Sequence, residues 1–194
     1  PHRLAAADTD GDGRMENAVT NRGFAHLSLL SADAQGRLSL VAGFPRSVAL
    51  DWGSLLGNVA LLDADGDGHL DLLWLDQQPW TTARLGILLG DGQLGFTESP
   101  RSPLSLAAGV TAFTAADLDR DGRPDLVLTT PVARDVWVLL GDSAVDREFT
   151  DPLTFALLAA SAVSTVADGD GDGWPDLLLA DRPAGYLDFY RNNP

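Results

Sequence analysis

The sequence predicts an all-β chain of four tandem four-stranded sheets, and three observations predict it. An acidic, glycine-rich loop occurs four times, beginning at Asp8, Asp63, Asp117 and Asp168, with spacings of 55, 54 and 51 residues. A short apolar run follows each of the last three loops: Leu72–Leu75, Leu126–Leu128 and Leu177–Leu179. A second apolar run follows that one, as in "LGILLGDGQLGF" from Leu85 and "VWVLLGDSAVDREF" from Val136. A near-constant period of this length marks a repeat architecture, in which each unit buries its apolar face against its neighbour.

One unit reads as strand A, acidic loop, strand B, short loop, strand C, turn and strand D. In the third unit strand A is Thr111–Ala116, the loop Asp117–Asp125 and strand B Leu126–Thr130. Strand C is then Val136–Leu140, with strand D near Leu153–Leu157. The Gly/Asp turn after "LLGD", with Phe96 or Phe149 a few residues on, joins strands C and D. Strand B is apolar at consecutive positions, so both of its faces must be covered. Four-stranded sheets packed face to face around an axis do this, and such a sheet is a β-propeller blade. Helix competes over Leu153–Val166, but Val163, Thr165 and Val166 are β-branched and align with strand A of the other units.

The expected repeats are 1–46, 47–104, 105–155 and 156–194. The sequence begins at Pro1 in strand A and stops just after strand C of the fourth unit. The expectation is therefore a processed product or a piece of something longer. It would be an arc of a seven-bladed or larger propeller, completed by the rest of a longer chain or by a partner subunit.

Charge narrows the function. The chain carries 28 acidic and 13 basic residues, a net charge of −15. No basic patch suits nucleic acid, and the same charge disfavours anionic lipid. No window reaches the 18 apolar residues of a membrane span, so direct membrane insertion is not expected. The absence of cysteine removes disulfides and thiolate metal sites. Sixteen of the acidic residues lie in the four loops, and the remaining 12 nearly balance the basic ones.

Within each loop, positions 1, 3, 5 and 9 are acidic and position 6 is Gly13, Gly68, Gly122 or Gly173. Calcium takes six to eight hard oxygen ligands. Alternating carboxylates around a tight glycine turn can converge on one ion, with the carbonyl at position 7 adding an oxygen. An EF-hand needs an acid at position 12. That position is Val19, Trp74, Leu128 or Leu179, so the loop is a strand–loop–strand site instead.

The pattern D-x-D-G-D-G-x-x-D-L-[VL], followed by "V-x-V-L-L-G-D…F", resembles the FG-GAP/VCBS repeat family. That family includes the integrin α-subunit propeller and many secreted bacterial proteins, and the resemblance spans essentially the whole chain. It implies up to four Ca²⁺ ions, one per loop. One would lie on Asp63, Asp65, Asp67 and Asp71 with the carbonyl of His69. A second would lie on Asp117, Asp119, Asp121 and Asp125 with Arg123, and a third on Asp168, Asp170, Asp172 and Asp176 with Trp174. The first loop would use Asp8, Asp10, Asp12 and Glu16 with Arg14. Two departures stand out. Glu16 and Asn17 replace the usual Asp and apolar residue in the first loop, and Arg120 replaces Gly at position 4 of the third, where its side chain can point outward.

The resemblance also implies a non-catalytic module that binds a protein or glycan ligand in an extracellular, periplasmic or cell-surface setting. A scaffold role in a larger assembly and an accessory domain of a secreted polysaccharide-active enzyme are the alternatives. Identical carboxylates repeated four times point to structure over catalysis. His2, His26 and His69 share no motif with a nucleophile or with metal-ligand spacing. The loops joining strands B and C contain Asn21, Arg22, Gln77, Gln78, Trp80, Arg134, Asp135 and Arg182. An exposed Trp80 or Trp52 could stack on a sugar or anchor a partner, whereas the plainer reading tucks each onto a neighbouring blade. Trp74 and Trp137 lie within strands and are expected in the core.

Overall fold

The computed structural model describes residues 2–21, 25–48, 55–77, 82–130, 135–142, 148–151, 153–156, 163–181 and 185–192. Among them every regular element is a β-strand, and no helix is long and apolar enough to cross a membrane. Trp52, Trp80, Gln78, Arg22, Arg134 and Arg182 lie outside the described residues.

The strands form four antiparallel sheets in chain order. Sheet 1 holds β1 (Arg3–Ala7), β2 (Glu16–Asn21), β3 (His26–Ala32), β4 (Leu38–Leu40) and β5 (Arg46–Ser47). Sheet 2 holds β6 (Leu55–Leu62), β7 (Asp71–Gln77), β8 (Thr82–Gly90), β9 (Phe96–Glu98) and β10 (Leu104–Ala108). Sheet 3 holds β11 (Ala112–Ala116), β12 (Asp125–Thr130), β13 (Asp135–Leu139) and β14 (Leu153–Ala156). Sheet 4 holds β15 (Val163–Ala167), β16 (Asp176–Asp181) and β17 (Tyr186–Tyr190). The segments expected as strands at either end of Leu153–Val166 are therefore β14 and β15, and residues 157–162 between them are outside the described set.

Strand D is divided in the first two sheets, a feature the repeat pattern did not reveal. β4 and β5 both pair with β3, and β9 and β10 both pair with β8. In sheet 3 a bridge between Gly141 and Phe149 precedes β14. Pro45 falls just before β5 and Pro103 just before β10. Proline cannot donate to a ladder and is tolerated at such outer edges.

Successive residues of a strand point to opposite faces, and strand B uses both. Leu72 and Trp74 of β7 pack toward sheet 1, against Ala18, Leu27 and Leu29. Leu73 and Leu75 pack toward sheet 3, with Phe113, Leu126 and Leu128. Val127 and Val136 of sheet 3 then meet Leu179 of sheet 4. All six residues of β12 are buried as a result. The A strands adjoin one another from sheet to sheet and are tied by side chains. Thr20 Oγ1 donates to the Gly57 carbonyl (3.0 Å), and Asn58 Nδ2 to that of Phe113 (3.2 Å). Thr114 Oγ1 donates to the carbonyl of Ser164 (3.0 Å). These are propeller-like blades with strand A innermost. Among the described residues no core cluster joins sheet 1 to sheet 4.

Both expected core tryptophans are where the pattern puts them, Trp74 buried and Trp137 packed on the edge of the core between sheets 2 and 3. Trp74 needs a particular neighbour. Gly86 is its register partner, and a Cβ there would come within 2.0 Å of the indole ring. Overpacking a close-packed core costs about 1–3 kcal/mol. Gly86→Ala should therefore lower stability by about that amount in denaturant unfolding, and wild-type stability would contradict this packing.

Candidate metal centres

Each loop is a compact turn held by its own carboxylates. Gly13, Gly68, Gly122 and Gly173 have φ of +84°, +88°, +88° and +89°, a backbone region that disfavours any side chain. Each also donates its N–H to the position 1 carboxylate of its loop, at 2.9–3.0 Å, on Asp8, Asp63, Asp117 and Asp168. The position 3 carboxylates of Asp10, Asp65, Asp119 and Asp170 accept from the amide two residues on. The position 5 carboxylates of Asp12, Asp67, Asp121 and Asp172 accept at 2.8 Å from the amides of Arg14, His69, Arg123 and Trp174.

Three of the four carboxylates in each loop converge. Asp8, Asp10 and Glu16 place one oxygen each within 4.8 Å of one another, as do Asp63, Asp65 and Asp71. Asp117, Asp119 and Asp125 repeat the arrangement, and so do Asp168, Asp170 and Asp176. Position 5 stands outside all four groups. Its carboxylates are solvent-exposed, and Asp12 pairs with the guanidinium of Arg14. In the fourth loop Arg191 Nε lies 2.6 Å from Asp170, so one cation already sits beside that group.

Position 9 has a second task that sequence reasoning missed. Glu16, Asp71, Asp125 and Asp176 are all buried. One oxygen of each accepts the amide of loop position 2: Thr9 (2.9 Å), Ala64 (2.8 Å), Leu118 (2.6 Å) and Gly169 (2.9 Å). In the last three units the other oxygen accepts an amide at the end of strand C, from Gly90 (2.8 Å), or just past it, from Gly141 (2.7 Å) or Asn192 (2.9 Å). The carboxylate thus latches the start of the loop, strand B and the end of strand C or the residues just after it. The longer Glu16 instead takes both the amide and the hydroxyl of Thr9. The available signal was the glycine of "LLGD", which recurs where this latch closes.

Neighbouring loops also touch. Arg123 Nη1 donates to the Asp65 carbonyl of the loop before it (3.1 Å). Arg120 adopts φ +61° in the place of a glycine, and its guanidinium lies 5.0 Å from the ring centre of Trp174 in the next loop. Arg120 is exposed, as its place in the turn allows, and its side chain also bridges two loops, since a cation over an indole face is attracted to it.

The crowding has an electrostatic cost. Burial, then the charges of Asp65 and Asp67, push the Asp71 carboxyl up to about 7. Asp125 is raised by burial and by Asp119 and Asp121, and Asp65 is raised chiefly by burial. Asp176 is shifted down, first by the Asn192 amide and further by Arg191.

A match to the FG-GAP-like repeat covers residues 63–128. Integrin alpha-IIb of Homo sapiens is 28% identical over 166 aligned residues, which take in 71% of this chain. The chain spans 16% of the length of that relative. A crystal structure of a protein from Lactobacillus plantarum superposes over 98% of this chain and 70% of its own, with a TM-score of 0.54 and 13% identity, a likeness of fold. The V. cholerae biofilm matrix protein Bap1 superposes over 98% of this chain and 28% of its own, with a TM-score of 0.48 and 21% identity.

A carboxyl raised in the folded state loses stability with rising pH, because the unfolded chain ionises first. For Asp71 that window runs from about 4, the ordinary value, to about 7. In excess chelator the melting temperature should therefore fall as pH rises from 5 to 7, and calcium should remove the fall. A metal-free melting temperature that rises over this window would contradict the charge crowding.

Proposed function

From the premise of a chain carrying FG-GAP-like repeats, we propose a calcium-stabilised, non-catalytic binding or adhesion module that works outside the cell or at its surface and recognises a protein or glycan. The observation that carries this reading is the three-carboxylate group formed in every loop. Two of these groups hold a buried oxygen with no protein partner, Asp8 Oδ1 and Asp117 Oδ1. A buried carboxylate oxygen left unpaired is expensive. A donor set made only of hard carboxylate oxygens suits calcium.

The residues that would hold the ions are the convergent ones. These are Asp8, Asp10 and Glu16, Asp63, Asp65 and Asp71, Asp117, Asp119 and Asp125, and Asp168, Asp170 and Asp176. Asp12, Asp67, Asp121 and Asp172 and the carbonyls of Arg14, His69, Arg123 and Trp174 would complete the shells, directly or through water. A bound divalent ion supplies positive charge where the carboxylates repel one another. The carboxylates then join the end of strand A to the start of strand B. The same set in four copies is the mark of a structural role. Likeness to integrin alpha-IIb supports the adhesion reading. Extracellular calcium modules bind at roughly 10⁻⁴–10⁻³ M, which only a calcium-rich compartment satisfies.

A specific feature favours the scaffold role as a second reading. Leu187 and Phe189 are 67% and 46% exposed on β17. Their register equivalents in sheet 3, Val136 and Val138, are packed against sheet 4. An apolar sheet face of this kind is covered when the chain sits within a larger assembly.

For a site of roughly 10⁻⁴ M, millimolar calcium stabilises the fold by about 1.4 kcal/mol. The melting temperature should rise between excess chelator and millimolar calcium, and Asp65→Ala should shrink that rise. Identical melting curves in the two conditions would contradict the structural-calcium reading. Calcium-dependent retention on an immobilised glycan or protein panel tests the binding role, and retention unaffected by chelator would count against it.

A further inference from the structure

The interface between sheets 3 and 4 contains an apolar cavity of about 370 Å³, lined by Leu118, Val127, Val138, Leu177, Tyr190 and others. Its lining has a close counterpart one interface earlier. Leu126 and Leu139 form a register pair, and so do Leu177 and Tyr190. Leu73 pairs with Ile87 as Val127 pairs with Val138. Ala64 and Leu118 are the position 2 residues whose amides reach Asp71 and Asp125. Leu126, Leu139, Leu73, Ile87 and Ala64 all belong to one core cluster, and that cluster also holds the fully buried Phe149. Phe149 comes from strand D and bridges Gly141. Phe96 begins strand D of sheet 2 and pairs with Gly90. Gly90, Gly141 and Asn192 are equivalent, since each donates its amide to the position 9 carboxylate of its own unit.

Two interfaces thus receive a phenylalanine from strand D at one place, and the third has a cavity there. Among the described residues β17 pairs with β16 alone, so the edge that would present such a strand is also open. Leu153, which lines the cavity, is exposed.

We propose that β17 and this cavity form one receiving site for a single extended strand from outside residues 1–194. The strand pairs antiparallel with β17 and inserts a phenylalanine opposite Asn192. Its chemistry is that of the existing D strands, an aromatic residue followed by apolar side chains, as in Phe149 and Leu153 or Phe96 and Leu104. Strand addition of this kind takes affinity from main-chain hydrogen bonds and specificity from a side-chain pocket. The site does not depend on calcium and stands apart from the metal reading.

The test appends a copy of residues 144–155 directly after Pro194, which reproduces the spacing between Gly141 and Phe149. The expected result is a melting temperature higher by roughly 5–10 °C than with a scrambled appendage. Replacing the phenylalanine equivalent to Phe149 with alanine in the appended copy should remove most of the gain. Should the extended chain fail to fold, the same segment added as a free peptide should shift the amide resonances of residues 187–192 in the original chain. Equal stability with the scrambled appendage, a gain untouched by the alanine, or unshifted resonances would overturn the proposal. So would a dimer of the original chain that already protects the β17 edge from amide exchange.

Discussion

The structure turns on one buried carboxylate at the head of each strand B. Asp71, Asp125 and Asp176 each take one amide from the start of their loop and another from the end of strand C or just beyond it. Three chain segments are fixed by a single side chain, and the apolar run that must be buried on both faces begins at the next residue. The arrangement is strong because hydrogen bonds to a charged acceptor outweigh neutral ones. It is also costly, since the charge is buried beside two more carboxylates. Asp71 and Asp125 bear that cost as raised affinity for protons, whereas the Asn192 amide and Arg191 favour the ion at Asp176.

Much of the fold was legible because its signal is local and repeated. Strand B of the third unit, expected at Leu126–Thr130, is Asp125–Thr130, and its unbroken apolar character follows from the sheets on either side. The EF-hand was excluded because position 12 is apolar, and Trp74, Leu128 and Leu179 are indeed buried in the cores between sheets. The division of strand D was not legible, because its pieces are short and lie apart in sequence. Neither was the withdrawal of position 5 from the three-carboxylate groups. Alternating aspartates look equivalent in sequence, and only the two left-handed residues in the turn send Asp67 outward while Asp63 and Asp65 converge. The reach of Arg123 to Asp65, 58 residues away, depends on how sheet 3 sits on sheet 2, and no periodicity encodes that.

Arg120 and Arg123 temper the negative charge concentrated in the loops. Each extends from the third loop toward a neighbour, Arg123 back to the second and Arg120 forward to the fourth. Neighbouring loops are therefore coupled through contacts as well as through charge. Arg120 adopts a left-handed backbone that ordinarily costs an L-residue about 1–2 kcal/mol, and its seat over Trp174 offsets part of that cost.

Amide hydrogen exchange at the latch is the most direct test of this account. The reporting amides are Ala64, Gly90, Leu118 and Gly141, the four that Asp71 and Asp125 accept. If cation binding relieves the repulsion around these carboxylates, all four should exchange more slowly in millimolar calcium than in chelator, with the interior of β12 changing less. Exchange at the four amides that is indifferent to calcium would contradict the claim that the acidic loops are metal-dependent clasps.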